Sequence, residues 1–166
     1  MKLLVKFIPV LFLVTVGANG MGQSIKKWKI TDVVNYIEKT DSVVVLTFWA
    51  TWCKPCITEL PYFHSVTKKY APQKVKLLLV SLDFQNDYPK KIAEFAKKNN
   101  YDAEIVWLDE TDADYFCPKI DSRWSGAIPS TLIYHHQSGY RFFREGQIRE
   151  ERLELILQEA ISKQKQ

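Results

Sequence analysis

The chain has 166 residues, enough for one ordinary globular domain and too few for two comfortable ones. A composition of 46% hydrophobic, 25% charged and 13% aromatic residues excludes a disordered chain except at the ends. The net charge of +4 is scattered, with no Lys/Arg run interleaved with aromatics, so no nucleic-acid partner is expected.

The first residues differ from the rest. Lys2 and Lys6 precede the apolar run FIPVLFLVTV and the small residues GANG, and no acidic residue appears before Asp32. A basic start, an apolar run of about ten residues and small residues after it form the pattern of a secretory signal peptide. The run falls short of the roughly 20 apolar residues a transmembrane helix needs. A core or amphipathic helix is the competing reading, but Phe7 to Val16 shows no polar residue until Thr15. We therefore expect a signal peptide over residues 1–20, cleavage between Ala18 and Gln23, and an exported domain over residues 25–163. If uncleaved, the segment would leave the protein membrane-associated. Loss of Lys2 and Lys6 brings the exported part close to neutral, so charge says nothing about its partners.

After a polar stretch with Ser24, Lys26 and Lys27, TDVVNYIEK (31–39) predicts a short helix capped by Thr31 or Asp32. VVVLTFW (43–49) is β-branched, aromatic and apolar on both faces, which predicts a buried central strand. From Cys53 to about Tyr70, Ile57, Leu60, Phe63, Val66 and Tyr70 recur at helical spacing. Pro55 suits the first turn of that helix, and Pro61 is expected to kink it. VKLLLVSLD (75–83) predicts a second buried strand, and YPKKIAEFAKKNN (88–100) a helix with Pro89 in its first turn. AEIVWLD (103–109) predicts a third strand, and residues 112–125 a short helix and a loop. STLIYH (130–135) and YRFFRE (140–145), joined by HQSG, predict a hairpin whose solvated end carries His135 and His136. A helix from Ile148 to about Lys163 closes the chain, with Leu153, Ile156, Leu157, Ala160 and Ile161 inside. The order strand, helix, strand, helix, strand, hairpin, helix predicts an α/β fold: a central mixed sheet flanked by helices on both faces.

The chemistry concentrates in TFWATWCKPC (47–56). Cys53 stands where a buried strand hands over to a helix, near orphan backbone N–H groups and the positive end of the helix dipole. Both favour a thiolate, and C-x-x-C cysteines at helix starts have pKa values of roughly 3.5 to 7.5. Cys56 follows one turn later, so the pair can close to a disulfide and reopen. One thiolate attacks a partner's disulfide and the other resolves the mixed disulfide. Glu59 lies three residues further on the same side. If buried, it would have a raised pKa suited to accepting a proton from Cys56. A structural disulfide here would close too small a loop to constrain the unfolded chain. A zinc site would need a second pair of ligands, and only Cys117, His64, His135 and His136 remain to supply it. An odd cysteine count leaves Cys117 outside any fully paired framework. It is expected to be a buried small hydrophobe, with a regulatory or partner-linking thiol as the alternative.

FWATWCKPCITELP resembles the motif of the thioredoxin superfamily, in particular its exported TlpA/ResA-like branch. In that branch W-C-x-P-C is followed by a Glu three residues after the second Cys and by a Pro two further. Trp52, Cys53, Pro55, Cys56, Glu59 and Pro61 match, and Ile128-Pro129 in GAIPSTLIY resembles the superfamily's cis-proline. The resemblance covers about residues 25 to 163, with the stretch from Leu82 to Asp109 resembling the branch's helix–strand insertion. It implies a thioredoxin-like fold, with Cys53 as attacking thiol, Cys56 as resolving thiol and Glu59 as the acid beside them. It also implies that Trp52 covers one edge of the site and that Ile128 offers its backbone to a substrate strand beside cis-Pro129. Thr47 departs from the cytoplasmic members, which keep a buried Asp there, and so more proton handling falls on Glu59.

By the same resemblance the protein would be an extracytoplasmic thiol-disulfide oxidoreductase without a cofactor, reducing disulfide-bearing protein substrates. A membrane-embedded partner would supply its electrons, with cytochrome c maturation as one use. The dithiol alone does not choose between reductase, oxidase and isomerase. A thiol peroxidase would want Pro and Thr or Ser where Leu46 and Ala50 stand. A non-catalytic thioredoxin-fold module that binds a metal or a partner is the alternative of a different class.

Overall fold

A computed structural model describes residues 24–164, and the expected signal segment 1–20 lies outside the described residues. The elements run β1 (Lys26–Trp28), α1 (Ile30–Lys39), β2 (Val43–Trp49), α2 (Lys54–Lys69), β3 (Val75–Ser81), α3 (Lys90–Lys98), β4 (Glu104–Leu108), α4 (Ala113–Ile120), β5 (Ser130–His135), β6 (Tyr140–Glu145) and α5 (Glu150–Gln164). Short 3₁₀ turns cover Ala71–Gln73 and Gln85–Asp87.

The alternation within β2 shows how the layers form. Val43, Val45 and Trp49 face one core with α2, α3 and α5, while Val44, Leu46 and Phe48 face the other with α1 and α4. Every residue of β2 is buried, because helices cover both faces of the sheet. β3 and β4 split the same way: Leu77, Leu79, Ile105 and Trp107 lie on the first side, and Leu78, Val80, Val106 and Leu108 on the second. The strand order is β1-β4-β3-β2-β5-β6. The four strands β1, β4, β3 and β2 pair in parallel, and β5 and β6 add antiparallel strands. This is the mixed α/β sheet that the sequence predicts, and it has the thioredoxin-like fold. Parallel pairing carries the C-terminal ends of β2, β3 and β4 to one edge of the sheet, and the site forms there.

Several boundaries differ from expectation, each for a local reason. β1 falls in the stretch read as polar. It is a three-residue edge strand tied to β4 through the backbone, with Lys26 and Lys27 exposed, as suits an edge. α1 is closed from inside its first turn: Asp32 Oδ2 accepts the Lys29 N–H at 2.8 Å, so neither Thr31 nor Asp32 is the N-cap. α3 is shorter than residues 88–100. Tyr88 is extended ahead of a cis bond to Pro89, which stands at the N-cap, and Asn100 takes a left-handed φ of 53° just beyond the helix end. α5 begins at Glu150, not Ile148, because the segment before it is hydrogen-bonded to α2. His135 is buried, not solvated. It shares a face of β5 with Ile133, and its Nδ1 lies 2.8 Å from Ser138 Oγ. His136 is exposed.

Candidate active site

After β2 the chain turns through Ala50 to Trp52 and enters α2 with Cys53 at the N-cap. The Cys53 N–H donates to Ala50 O at 3.1 Å, and Cys53 Sγ accepts the Cys56 N–H at 3.3 Å. Pro55 sits in the first turn, where its missing N–H is not needed. Cys53 and Cys56 are joined in a disulfide with their Cα atoms 5.2 Å apart. Cys56 is completely buried, whereas Cys53 retains 5% exposure, so Cys53 is the sulfur nearer to solvent. The N-terminal end of the helix dipole lies on it, which favours the thiolate once the bond is reduced.

Glu59 projects one turn beyond Cys56 into the apolar layer and has no exposed surface. Its Oε2 accepts the Ile148 N–H at 3.1 Å, and its Oε1 has no protein partner among the described residues. One hydrogen bond replaces several lost to water, so burial prevails and pushes the carboxyl up to about 7. The segment that supplies this bond is itself fixed to α2. Gln147 Nε2 donates to Pro55 O at 2.9 Å, and the Tyr62 hydroxyl donates to Ile148 O at 2.7 Å. Burial first, and Glu59 second, push Tyr62 up to about 12, which keeps it a donor.

On another side, the Ile128–Pro129 peptide is cis and Pro129 is buried at the start of β5. Ile128 O lies 3.8 Å from Cys53 Sγ. A disulfide sulfur has no proton to donate, so this contact becomes a hydrogen bond only when Cys53 is a thiol. Trp52 is 50% exposed and stacks on Phe84, their ring centroids 5.6 Å apart and the planes 19° from parallel. Beneath them, both carboxylate oxygens of buried Asp83 accept the Thr51 N–H, at 3.0 and 3.1 Å, and Asp83 also accepts from the hydroxyls of Thr51 and Ser81.

Thr47, below the site in β2, is buried. Its hydroxyl accepts from Thr131 Oγ1 at 3.1 Å and lies 3.4 Å from Ser130 O. Cys117 is a free, buried thiol in α4 on the opposite face of the sheet from the dithiol. Desolvation, helped by Asp114 and Glu145, pushes it up to about 11, so it behaves as a small hydrophobe.

Cys53, Cys56, Glu59 and Ile128 thus meet at one end of α2, with Trp52 adjacent. Sequence reasoning missed Asp83, Phe84, Gln147 and Ile148 as neighbours of the site. Only the Ser-x-Asp spacing after a buried strand hinted at the first of them. A surface hollow of about 870 Å³ beside Trp28, Tyr36 and Lys76 contains none of these residues.

Among curated proteins, the chain is 41% identical over 91 residues to the thiol-disulfide oxidoreductase ResA of Geobacillus thermodenitrificans, covering 54% of this chain and 47% of that one. It is 39% identical over 75 residues to the thioredoxin-like protein YneN of Bacillus subtilis, covering 43% and 42%. A 40-residue match to ResA of Oceanobacillus iheyensis at 48% identity covers 24% and 21%. The matches therefore span less than half the length of these relatives. Among solved structures, a thioredoxin-related protein from Neisseria meningitidis serogroup B superposes with a TM-score of 0.61 at 22% identity, covering 78% of this chain and 90% of that one. StoA from Bacillus subtilis superposes with a TM-score of 0.54 at 25% identity, covering 73% and 86%. The profile of the AhpC/TSA family matches residues 18–137, well over half the sequence, and the chain belongs to that family.

Proposed function

We propose that the protein is an exported thiol-disulfide oxidoreductase that reduces protein disulfides through Cys53 and Cys56. The observation that carries this reading is the dithiol itself: a closed Cys53–Cys56 disulfide at a helix N-terminus, with one sulfur near solvent and the other sealed above a buried carboxylate. The similarity to proteins named thiol-disulfide oxidoreductases supports it. In the reduced protein the Cys53 thiolate attacks one sulfur of a substrate disulfide. The substrate S–S bond breaks, one substrate thiolate leaves, and a Cys53–substrate disulfide forms. Cys56 then gives its proton to the Glu59 carboxylate, and its thiolate attacks Cys53 Sγ. The second substrate thiolate leaves and the Cys53–Cys56 disulfide is restored. Two electrons have passed to the substrate, and a membrane-embedded donor returns them. A Glu59 carboxyl held near 7 has a proton affinity matched to that role at neutral pH. Trp52 and the backbone of Ile128 beside Pro129 are assigned to substrate binding. The exported location rests on the N-terminal pattern, and cytochrome c maturation is the use carried over from the resemblance. The peroxidase alternative finds Leu46 and Ala50 where it would need Pro and Thr or Ser.

The test is a trap. A Cys56→Ser variant exposed to periplasmic or secreted proteins should accumulate mixed disulfides through Cys53, and Cys53→Ser should accumulate none. No capture while Cys53 remains open to alkylation would reject the reading. Direction is read from the redox potential: a value near about −270 mV fits a reductase, and one near about −120 mV an oxidase.

A further inference from the structure

Four large apolar side chains stand well exposed among the described residues: Trp52, Phe84, Tyr115 and Leu155. Tyr115 is covered by the Lys119 ammonium 4.5 Å from its ring centre, and Leu155 stands apart on α5. Trp52 and Phe84 instead stack on each other next to Cys53, and Phe84 remains 66% exposed after doing so. A stack that served only the fold would bury its rings, because exposed aromatic surface contributes little to stability.

The backbone beneath this stack is held from several directions. Asp83 bonds Thr51 and Ser81 through its carboxylate and accepts the Trp107 indole N–H at its backbone carbonyl, 2.7 Å away. The Leu82 N–H donates to Trp49 O at 2.7 Å. The loops after β2 and β3 are thereby locked together, and Phe84 is presented on a rigid ledge, which lowers the ordering cost of any contact made on it. Phe84 also lines a cavity of about 260 Å³ whose walls include Leu82, Trp107, Leu108, Ala113 and Phe116, so the ledge has depth behind it.

We propose that Phe84, with Trp52, forms a subsite for a large apolar side chain adjacent to the reacting cysteine in the substrate polypeptide. This rests on the oxidoreductase reading and adds a specificity determinant to it. The reach follows from covalent geometry. A mixed disulfide places the substrate cysteine Cα about 5.5–6 Å from that of Cys53, and the next Cα is about 3.8 Å further on. With the substrate cysteine bonded to Cys53, the Cα of its neighbour lies within side-chain reach of the ring of Trp52, the residue preceding Cys53. The occupant is an extended segment of a disulfide-bearing polypeptide with Phe, Tyr, Leu or Ile next to its cysteine.

The test uses reduced protein and two synthetic disulfide peptides that differ only in the residue following the cysteine, Phe in one and Ser in the other. The native protein should exchange with the Phe peptide about five- to tenfold faster, the advantage of an aromatic contact with partial burial. Phe84→Ala should bring that ratio below about twofold, and Phe84→Tyr should restore it. A native ratio near one, a ratio that survives Phe84→Ala, or an equal slowing of both peptides in Phe84→Ala would overturn the subsite while leaving the oxidoreductase standing. Failure of the native protein to exchange with either peptide would overturn both.

Discussion

The backbone N–H of Ile148 reaches 3.1 Å to Oε2 of Glu59, and among the described residues it is the one hydrogen bond given to a carboxylate with no exposed surface. The segment between β6 and α5 therefore tunes the acid beneath the dithiol from 89 residues away in sequence. A second donor would lower the Glu59 pKa, and loss of this one would raise it further.

A pH dependence of stability follows from that raised value. Unfolded Glu59 ionises near 4.5 and folded Glu59 near about 7. Between those values the folded state holds a proton that the unfolded state has released, so stability falls as pH rises through this window and levels off above it. The difference amounts to roughly 3 kcal/mol at pH 8. Glu59→Gln keeps an oxygen for the Ile148 N–H but cannot ionise. In urea melts of the oxidised protein it should match the native chain near pH 4.5 and exceed it by about 2–3 kcal/mol at pH 8. It should also slow resolution of a Cys53 mixed disulfide by about 100-fold, the contribution of a general base. A variant that keeps the native pH slope would show that another group is responsible.

Thr47 and Thr131 face each other across β2 and β5, with Thr131 Oγ1 donating to Thr47 Oγ1 at 3.1 Å in a fully buried setting. Thr47→Val leaves the Thr131 hydroxyl without its acceptor and should cost about 1–3 kcal/mol, while Thr131→Val leaves the Thr47 hydroxyl its bond to Ser130 O and should cost less. The double variant removes both polar groups together and should cost less than the sum of the two. Additive losses in a denaturation cycle would mean that the two hydroxyls do not depend on each other.

How far the sequence could be read depended on where each contact came from. β2, β5 and β6 have the predicted limits, Val43–Trp49, Ser130–His135 and Tyr140–Glu145, because each is a β-branched or aromatic run bounded by turn residues. The burial of Glu59 was legible as a condition: i, i+3 spacing puts it on the side of Cys56, and packing then covers it. β1 was not legible, since its strand character comes from pairing with β4 and leaves no period in three residues. His135 was misread because polarity suggested solvent, while its place on the inward face beside Ile133 decides for the core. Asp83, Phe84 and Ile148 join the site through strand ends that only the sheet order brings together, and no spacing along the chain records that.

Cys117 gives a prediction about labelling. Its thiol is 3% exposed and pushed up to about 11, so at pH 8 roughly one molecule in a thousand carries the thiolate. In the reduced native protein, iodoacetamide at pH 8 should label Cys53 first and leave Cys117 untouched. Denaturant should release Cys117 to react at an ordinary rate. Mass spectrometry of tryptic peptides reads both, and rapid native labelling of Cys117 would restore the regulatory-thiol alternative.

Asp83 carries the last prediction because it joins stability to specificity. Its carboxylate accepts from the Thr51 N–H, the Thr51 hydroxyl and the Ser81 hydroxyl, all at the sheet edge where Cys53 begins α2. Asp83→Ala strands three buried or half-buried donors and should cost roughly 2–4 kcal/mol. Asp83→Asn keeps the shape and one accepting oxygen, and the Ser81 hydroxyl can turn to accept from the new amide, so its cost should be nearer 1 kcal/mol. The effect on exchange separates two roles. If Asp83 holds Phe84 and Trp52 in place for substrate, Asp83→Ala at a temperature where it stays folded should lose the preference for a Phe-bearing peptide over a Ser-bearing one, and Asp83→Asn should retain most of it. Loss of stability with the preference intact would assign Asp83 to the fold alone and leave the aromatic ledge to stand on its own stacking.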